Sequence, residues 1–217
     1  MAKVMIAIIS DKSVWPTQFS LSLIELIRYT ASKHQVSYFH LSGCNVNNSR
    51  NKACLIAQNK GIESCGFEFD YLVQLDDDHI YERDFIDKFI KLDKDIVVGC
   101  TNKRIPPFNA TQYKEIKGIG MQDKENQIDI SKIEGLEKVG SSGPVGMTIK
   151  VDVFKRLKFP YFKEIYLNES PSLQGGDIYF SQMCKDANIP IYLDKSVSFP
   201  HKIDCAFVDR NEIKFYH

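Results

Sequence analysis

The chain has 217 residues, 43% of them apolar, with 28 Lys and Arg against 28 Asp and Glu and so no net formal charge. That apolar content fills one core, and balanced charge supplies no broad cationic field for non-specific binding to nucleic acid. Twelve Gly and eight Pro are scattered along it, without the bias of collagen-like, disordered or low-complexity chains.

Residues 4–9 form a continuous apolar run, the pattern of a strand covered on both faces. The run is shorter than a signal-peptide core, and no later window approaches a membrane span. From Pro16 the period changes. Phe19, Leu23, Leu26, Ile27 and Thr30 share one helical face, and proline is tolerated in a first turn because its missing N–H needs no partner there. Residues 35–41 read as a second strand, 51–60 as a helix with Ala53, Ile56 and Ala57 inward, and 71–75 as a third strand. This βαβαβ order predicts an α/β fold with a mainly parallel central sheet, right-handed crossovers and flanking helices.

Residues 82–92 repeat the helical spacing and 95–99 form a fourth short strand, which completes a nucleotide-binding half over residues 1–100. Residues 101–139, with Pro106-Pro107, Gly118, Gly120 and a polar run at 122–132, read as loops and short strands. A strand at 145–151, a short helix at 152–157, a polar loop at 161–174, a helix at 178–187 and short strands at 190–193 and 197–199 follow. Neither a repeat nor a linker divides the chain, so one domain over 1–217 is expected. The six cysteines, Cys44, Cys54, Cys65, Cys100, Cys184 and Cys205, contain no C-x-x-C pair. They read as reduced thiols of a cytoplasmic protein, with neither a zinc knuckle nor a thioredoxin motif.

Asp76-Asp77-Asp78-His79 follows directly on the third strand, at the sheet edge where open α/β folds bind ligands. Alternation along a strand puts Asp76 and Asp78 on one side and Asp77 on the other. Two carboxylates about 4 Å apart repel by roughly 4 kcal/mol at an effective dielectric near 20, and a bound cation relieves this. All-oxygen ligands suit Mg²⁺ or Mn²⁺, ions whose shells are usually completed by substrate phosphates. The same three residues also fit a solvated turn that caps the next helix. Asp177 stands before an apolar helix and is equally an N-cap candidate. A lone histidine such as His201 is ordinarily a surface or core residue. Arg50 and Asn51 head a helix, where free N–H groups and the dipole favour an anion. The glycine-rich run at residues 140–146 lacks the Lys-Ser/Thr ending of a P-loop.

Four stretches taken together carry a resemblance: Ile6-Ala7-Ile8-Ile9-Ser10, Asn48-Ser49-Arg50-Asn51, the run from Tyr71 to Asp78, and Gly175-Gly176-Asp177-Ile178-Tyr179-Phe180, with residues 191–197 and His201 downstream. In order and spacing the chain resembles the family-2-like glycosyltransferases of the GT-A fold, in the compact single-domain form common in phages, viruses and microbes. The resemblance implies transfer of a sugar from a nucleotide-sugar donor, a UDP- or GDP-sugar, to an acceptor hydroxyl on a glycan, lipid or protein. It implies that Asp76 and Asp78, completed by His201, hold Mn²⁺ or Mg²⁺, and that Asp177 is the catalytic base of an inverting reaction. It further implies donor contacts from Ser10, Asp11, Arg50, Asn51, Asp76 and Asp77, sugar or acceptor contacts from Ser141, Ser142 and Gly176, and an acceptor-binding half over residues 101–217. The family commonly has Glu-Asp where this chain has Gly176-Asp177. That departure keeps open a non-catalytic nucleotide-sugar binding module. A nucleotidyltransferase of related fold would need a basic glycine-rich loop after the first strand, where the chain has Ser10-Asp11-Lys12-Ser13.

Overall fold

The computed structural model describes residues 1–43, 45–59, 68–116, 126–166, 173–203, 206–210 and 212–214. The apolar first run forms β1 (Lys3–Ile9), followed by α1 (Thr17–Ala31), β2 (Gln35–Leu41), α2 (Val46–Ala57), β3 (Tyr71–Asp76), α3 (Phe85–Lys91) and β4 (Ile96–Cys100). Then come β5 (Leu136–Val139), β6 (Thr148–Lys150), β7 (Ile165–Tyr166), β8 (Leu173–Gln174), α4 (Gly176–Asp186), β9 (Ile191–Ser198), β10 (His201–Ile203), β11 (Ala206–Asp209) and β12 (Glu212–Lys214).

Seven strands make one sheet in the order β2-β1-β3-β6-β4-β9-β5. β1 is parallel to β2 and β3, and β4 to β9. β6 lies antiparallel between β3 and β4, and β5 runs antiparallel along β9. The sheet is therefore mixed rather than mainly parallel. A parallel neighbour needs a crossover, usually helical; the described residues between β4 and β6 hold only a 3-10 turn (Ile130–Lys132) and β5, and the chain returns along the sheet reversed.

Alternation along β1 assigns the two faces. Met5, Ala7 and Ile9 pack with α2 and α4 residues such as Ala53, Ile56, Phe180 and Cys184. Val4, Ile6 and Ile8 pack with Phe19, Leu23 and Leu26 of α1 and Phe85, Ile86 and Phe89 of α3. The result is three layers with helices on both sides of the sheet, as the hydrophobic pattern predicts.

Several boundaries differ from the periodicity, each for a local reason. α2 begins at Val46 rather than at residue 51, because Asn45 caps it by accepting the Asn48 N–H at 2.9 Å and the polar first turns hide the helix from an apolar pattern. The short helix expected at 152–157 is a 3-10 turn, Val151–Lys155. The two strands expected at 190–199 are one, β9, with a register shift opposite Gly99 and Cys100 and the Ser196 N–H turned onto Asp194. Part of the expected loop at 161–174 pairs as β7–β8, and β10–β12 form a small antiparallel sheet that the sequence did not signal. Lys60, Gly118, Gly120, residues 122–125 and 167–172, and Cys44, Cys65 and Cys205 lie outside the described residues. Cys54, Cys100 and Cys184 are buried free thiols, and no helix among the described residues is long and apolar enough to cross a membrane.

Asn51 was expected at the nucleotide. Its side chain instead ties α2 to the chain after the 3-10 turn: Oδ1 accepts from the N–H of Tyr161 at 2.9 Å and of Phe162 at 3.0 Å, and Nδ2 donates to the Phe162 carbonyl at 2.7 Å. Asn51→Ala leaves two buried N–H groups unpaired, which should cost roughly 3 kcal/mol. A fall in Tm of about 6–12 °C, read by thermal denaturation, is expected for a chain of this size.

Candidate active site

The three consecutive aspartates leave the end of β3 in three directions. Leu72, Gln74 and Asp76 face the α2 side, where Arg50 is almost fully buried. Arg50 donates from Nη1 to Gln74 Oε1 at 3.0 Å and from Nη2 to both Asp76 oxygens at 2.7 and 2.9 Å. The Tyr81 hydroxyl ends the strand by accepting the Asp76 N–H at 2.8 Å and donating to the Asp76 carbonyl at 2.9 Å. Asp77 faces the α1 side and is buried. It accepts from the Ser10 hydroxyl and from Lys12 Nζ at 2.6 Å, while Ser10 Oγ also accepts from the Lys12 N–H and from Trp15 Nε1, both at 3.1 Å.

Asp78 does not rejoin Asp76. β3 stops at Asp76 and the chain turns through Asp77 and Asp78, so alternation no longer applies. The turn pairs with the segment after β9: the Ile80 N–H donates to the Pro200 carbonyl at 3.0 Å, the Lys202 N–H donates to the Asp78 carbonyl at 2.8 Å, and His79 and His201 are directly opposed. Asp78 Oδ1 is 2.8 Å from His79 Nδ1, and Oδ2 is 3.3 Å from His201 Nε2. The two imidazoles stack with centroids 4.0 Å apart. Two residues before His201, the Phe199 ring lies so close to Gly146 (φ +61°) that a Cβ there would fall 2.2 Å from it. Burial alone would raise the Asp78 carboxyl, but hydrogen bonds to His201 and His79 hold it well below the usual carboxylate range; burial pushes the His79 imidazole down.

Asp78, His79 and His201 thus offer three ligand atoms within 4.8 Å of one another. The chemistry of this set fits a cation. His201 Nδ1 donates to the Asn102 carbonyl at 2.7 Å, which can only accept, and Nε2 is directed at Asp78 Oδ2; a charged ring donates through both nitrogens, whereas a neutral ring keeps its proton on Nδ1 and offers Nε2 to an ion. A histidine that gives Nδ1–H to a backbone carbonyl and turns Nε2 inward is the usual arrangement of a metal ligand. Beside the cluster opens a cleft of about 360 Å³ lined by Lys12, Asp78, Arg104, Lys202 and Ile203. Arg104 approaches Asp78 at 3.5 Å.

Asp177 sits in the first turn of α4, half-buried, with its carboxylate accepting the Ile178 N–H at 2.9 Å. Burial raises its carboxyl; the Ile178 N–H and Arg50 pull it back, and Asp76 adds a smaller upward push. Asp177, Arg50 and Asp76 are therefore one electrostatic group. Gly176 packs against α2, where an added Cβ would fall 2.0 Å from Asn47 Oδ1, and Asn47 is held by Glu164 at 3.1 Å. Ser141 and Ser142 are fully buried. Ser142 accepts from Gln112 Nε2 at 3.1 Å and donates to the Gly143 carbonyl, and Ser141 Oγ has no hydrogen-bond partner among the described residues. Asp11 is exposed beside Ser10.

Of the residues singled out in sequence, Asp78 and His201 come together; Asp76, Arg50 and Asp177 form a second group, and Ser10 and Asp77 a third. The sequence reading passed over His79, Lys12, Arg104, Lys202 and Tyr81. Only His79 carried a signal, its place next to the aspartates, whereas the cations come from three separate elements.

No family model matches the chain, and no curated protein matches it in sequence. Among solved structures it is similar to A197 from STIV, with a TM-score of 0.63 at 20% identity over 100% of this chain and 95% of that one. It is also similar to S. aureus TarS 1–349, with a TM-score of 0.43 at 11% identity over 89% of this chain and 58% of that one. A197 shares the fold.

A carboxyl raised in the folded state costs stability once ionised. That cost is fully present above its folded pKa and vanishes as pH falls below the unfolded value. Asp177→Asn should therefore raise the urea midpoint at neutral pH, and the gain over wild type should close as pH falls towards the ordinary carboxylate value of 3.8.

Proposed function

We propose that the chain is a metal-dependent glycosyltransferase of the GT-A type, moving a sugar from a nucleoside-diphosphate donor to an acceptor hydroxyl. The observation that carries this reading is the Asp78–His79–His201 cluster at the sheet edge, opening into a cleft with three cationic side chains. Asp78 and His201 would hold the divalent ion, Mn²⁺ or Mg²⁺. When bound, that ion supplies positive charge to the diphosphate leaving group, whose negative charge grows as the sugar–phosphate bond breaks. Lys12, Arg104 and Lys202 add positive charge along the same cleft, acting most strongly where water is excluded.

Asp177 is the base in this reading. The acceptor oxygen forms its bond to the anomeric carbon, its proton passes to the Asp177 carboxylate, and the electron pair of the breaking bond leaves with the nucleoside diphosphate. Partial burial raises that carboxylate and so strengthens it as a base, and the Ile178 N–H and Arg50 offset part of the rise. Arg50 also engages Asp76 and so fixes the charge next to the base. Ser10, Asp11 and Asp77 would border the base and ribose through the loop after β1. The glycine before Asp177 fits the close approach of Asn47, beside which a Cβ would fall 2.0 Å from Oδ1.

A screen of UDP-, GDP- and CMP-sugars with Mn²⁺ or Mg²⁺, reading released nucleotide, should find turnover with at least one pair; none across the panel from folded protein rejects the reading. Asp177→Asn should lower kcat by about 10²–10⁴-fold, the usual contribution of a general base. The wild-type rate should fall as pH drops through the raised Asp177 pKa, so its acid limb lies above that of an ordinary aspartate.

A further inference from the structure

We infer that the mouth of the cleft is a membrane-docking surface: aliphatic side chains of the loops after β1 and β4 enter an anionic phospholipid bilayer, and the lysines and arginines beside them meet its phosphates. The docking does not depend on what the site transfers. On the transferase reading, it turns the cleft towards an acceptor hydroxyl carried by a lipid.

Three observations carry it. First, the loops leave one edge of the sheet. β6 is antiparallel to both β3 and β4, so β1, β3, β4 and β9 point the same way. The segments that follow β1, β4 and β9 meet at the cleft, which Lys12, Arg104, Lys202 and Ile203 line. Second, the loop after β4 displays an apolar tip. Ile105 is 75% exposed, and Pro106 and Pro107 after it are exposed too, a run of three that a water-facing surface ordinarily avoids. Backbone pairing holds the tip out: the Lys103 N–H donates to the Asn109 carbonyl at 2.8 Å, the Phe108 N–H to the Ile105 carbonyl at 3.0 Å, and Asn102 Nδ2 to the Phe108 carbonyl at 2.5 Å. Val14, 79% exposed, is the corresponding group on the loop after β1. Third, cations accompany these groups on a chain of no net charge. Lys103 and Arg104 directly precede the tip, and Lys12 stands two residues before Val14. The exposed Arg210 is brought beside them by its own N–H, which donates to Asn102 Oδ1 at 3.1 Å. Exposed apolar area and basic charge in one place are the two terms that bind a protein to an acidic bilayer. The apolar groups stand on separate loops around a charged cleft, where a deformable lipid surface can reach all of them.

The test is flotation of the full chain with vesicles, without donor or metal, so that it is independent of turnover. Vesicles of phosphatidylcholine and phosphatidylglycerol in equal parts should carry the chain, and pure phosphatidylcholine should bind it at least ~10-fold more weakly. Ile105→Ser should weaken binding to the mixed vesicles by about 10-fold, the loss of one aliphatic side chain from an apolar phase. Lys103→Gln combined with Arg210→Gln should weaken it by about 10–30-fold. Phe159→Ser removes another exposed apolar group, at the opposite edge of the sheet where Tyr161 meets Gln58 at the end of α2, and should leave binding unchanged. No flotation of the wild-type chain, equal binding to neutral vesicles, or an equal loss from Phe159→Ser overturns the inference. Failure here with a donor turned over would leave the transferase reading intact, whereas flotation with no donor turned over would reject that reading alone.

Discussion

Three carboxylates in succession at the end of a buried strand cannot share one environment, and the structure around them follows from that repulsion. Each is sent to a different positive or hydrogen-bonding partner: Asp76 to Arg50, Asp77 to Lys12 and Ser10, Asp78 to two histidines. Strand alternation separates the first two across the sheet. The turn after Asp76, pinned by the Tyr81 hydroxyl, releases the third from that alternation. The charge that would destabilise a plain strand end becomes three distinct local fields at one rim.

The pairing of residues 78–80 with 200–202 gives the third field its shape. Two backbone hydrogen bonds join segments more than a hundred positions apart and put His79 against His201. Phe199, pressed against Gly146, sets where that segment enters. At Gly146 the left-handed backbone and the ring's approach both exclude a side chain, so the glycine-rich run at 140–146 serves packing rather than phosphate binding. Its serines are correspondingly buried.

A parallel logic operates at α4. The close contact between Asn47 of α2 and Gly176 brings two helix starts together, and with them Arg50, Asp76 and Asp177. The buried guanidinium serves both acids, through contact with one and through space with the other. It engages both Asp76 oxygens, and the side chains beside Asp78 are imidazoles rather than a second carboxylate.

The helices, the two-sided burial of β1 and the position of the acidic run at a strand end were legible in the sequence, because they depend on contacts within a few residues or on a period that repeats. Asn45 as a cap was missed, because the first turns it opens are polar and an apolar pattern passes over them. The direction of β6, the small β10–β12 sheet, the tie from Asn51 to residues 161 and 162, and the partners chosen by each aspartate were not. These depend on which distant segments meet, and a side chain such as Asp76 has the same chemistry whether it faces an ion or Arg50. The sequence by itself determined that negative charge gathers at the rim of an α/β sheet; only the tertiary structure decided which of those charges remains beside imidazoles and an open cleft, because long-range backbone pairing and helix contact, rather than residue type, set the neighbours.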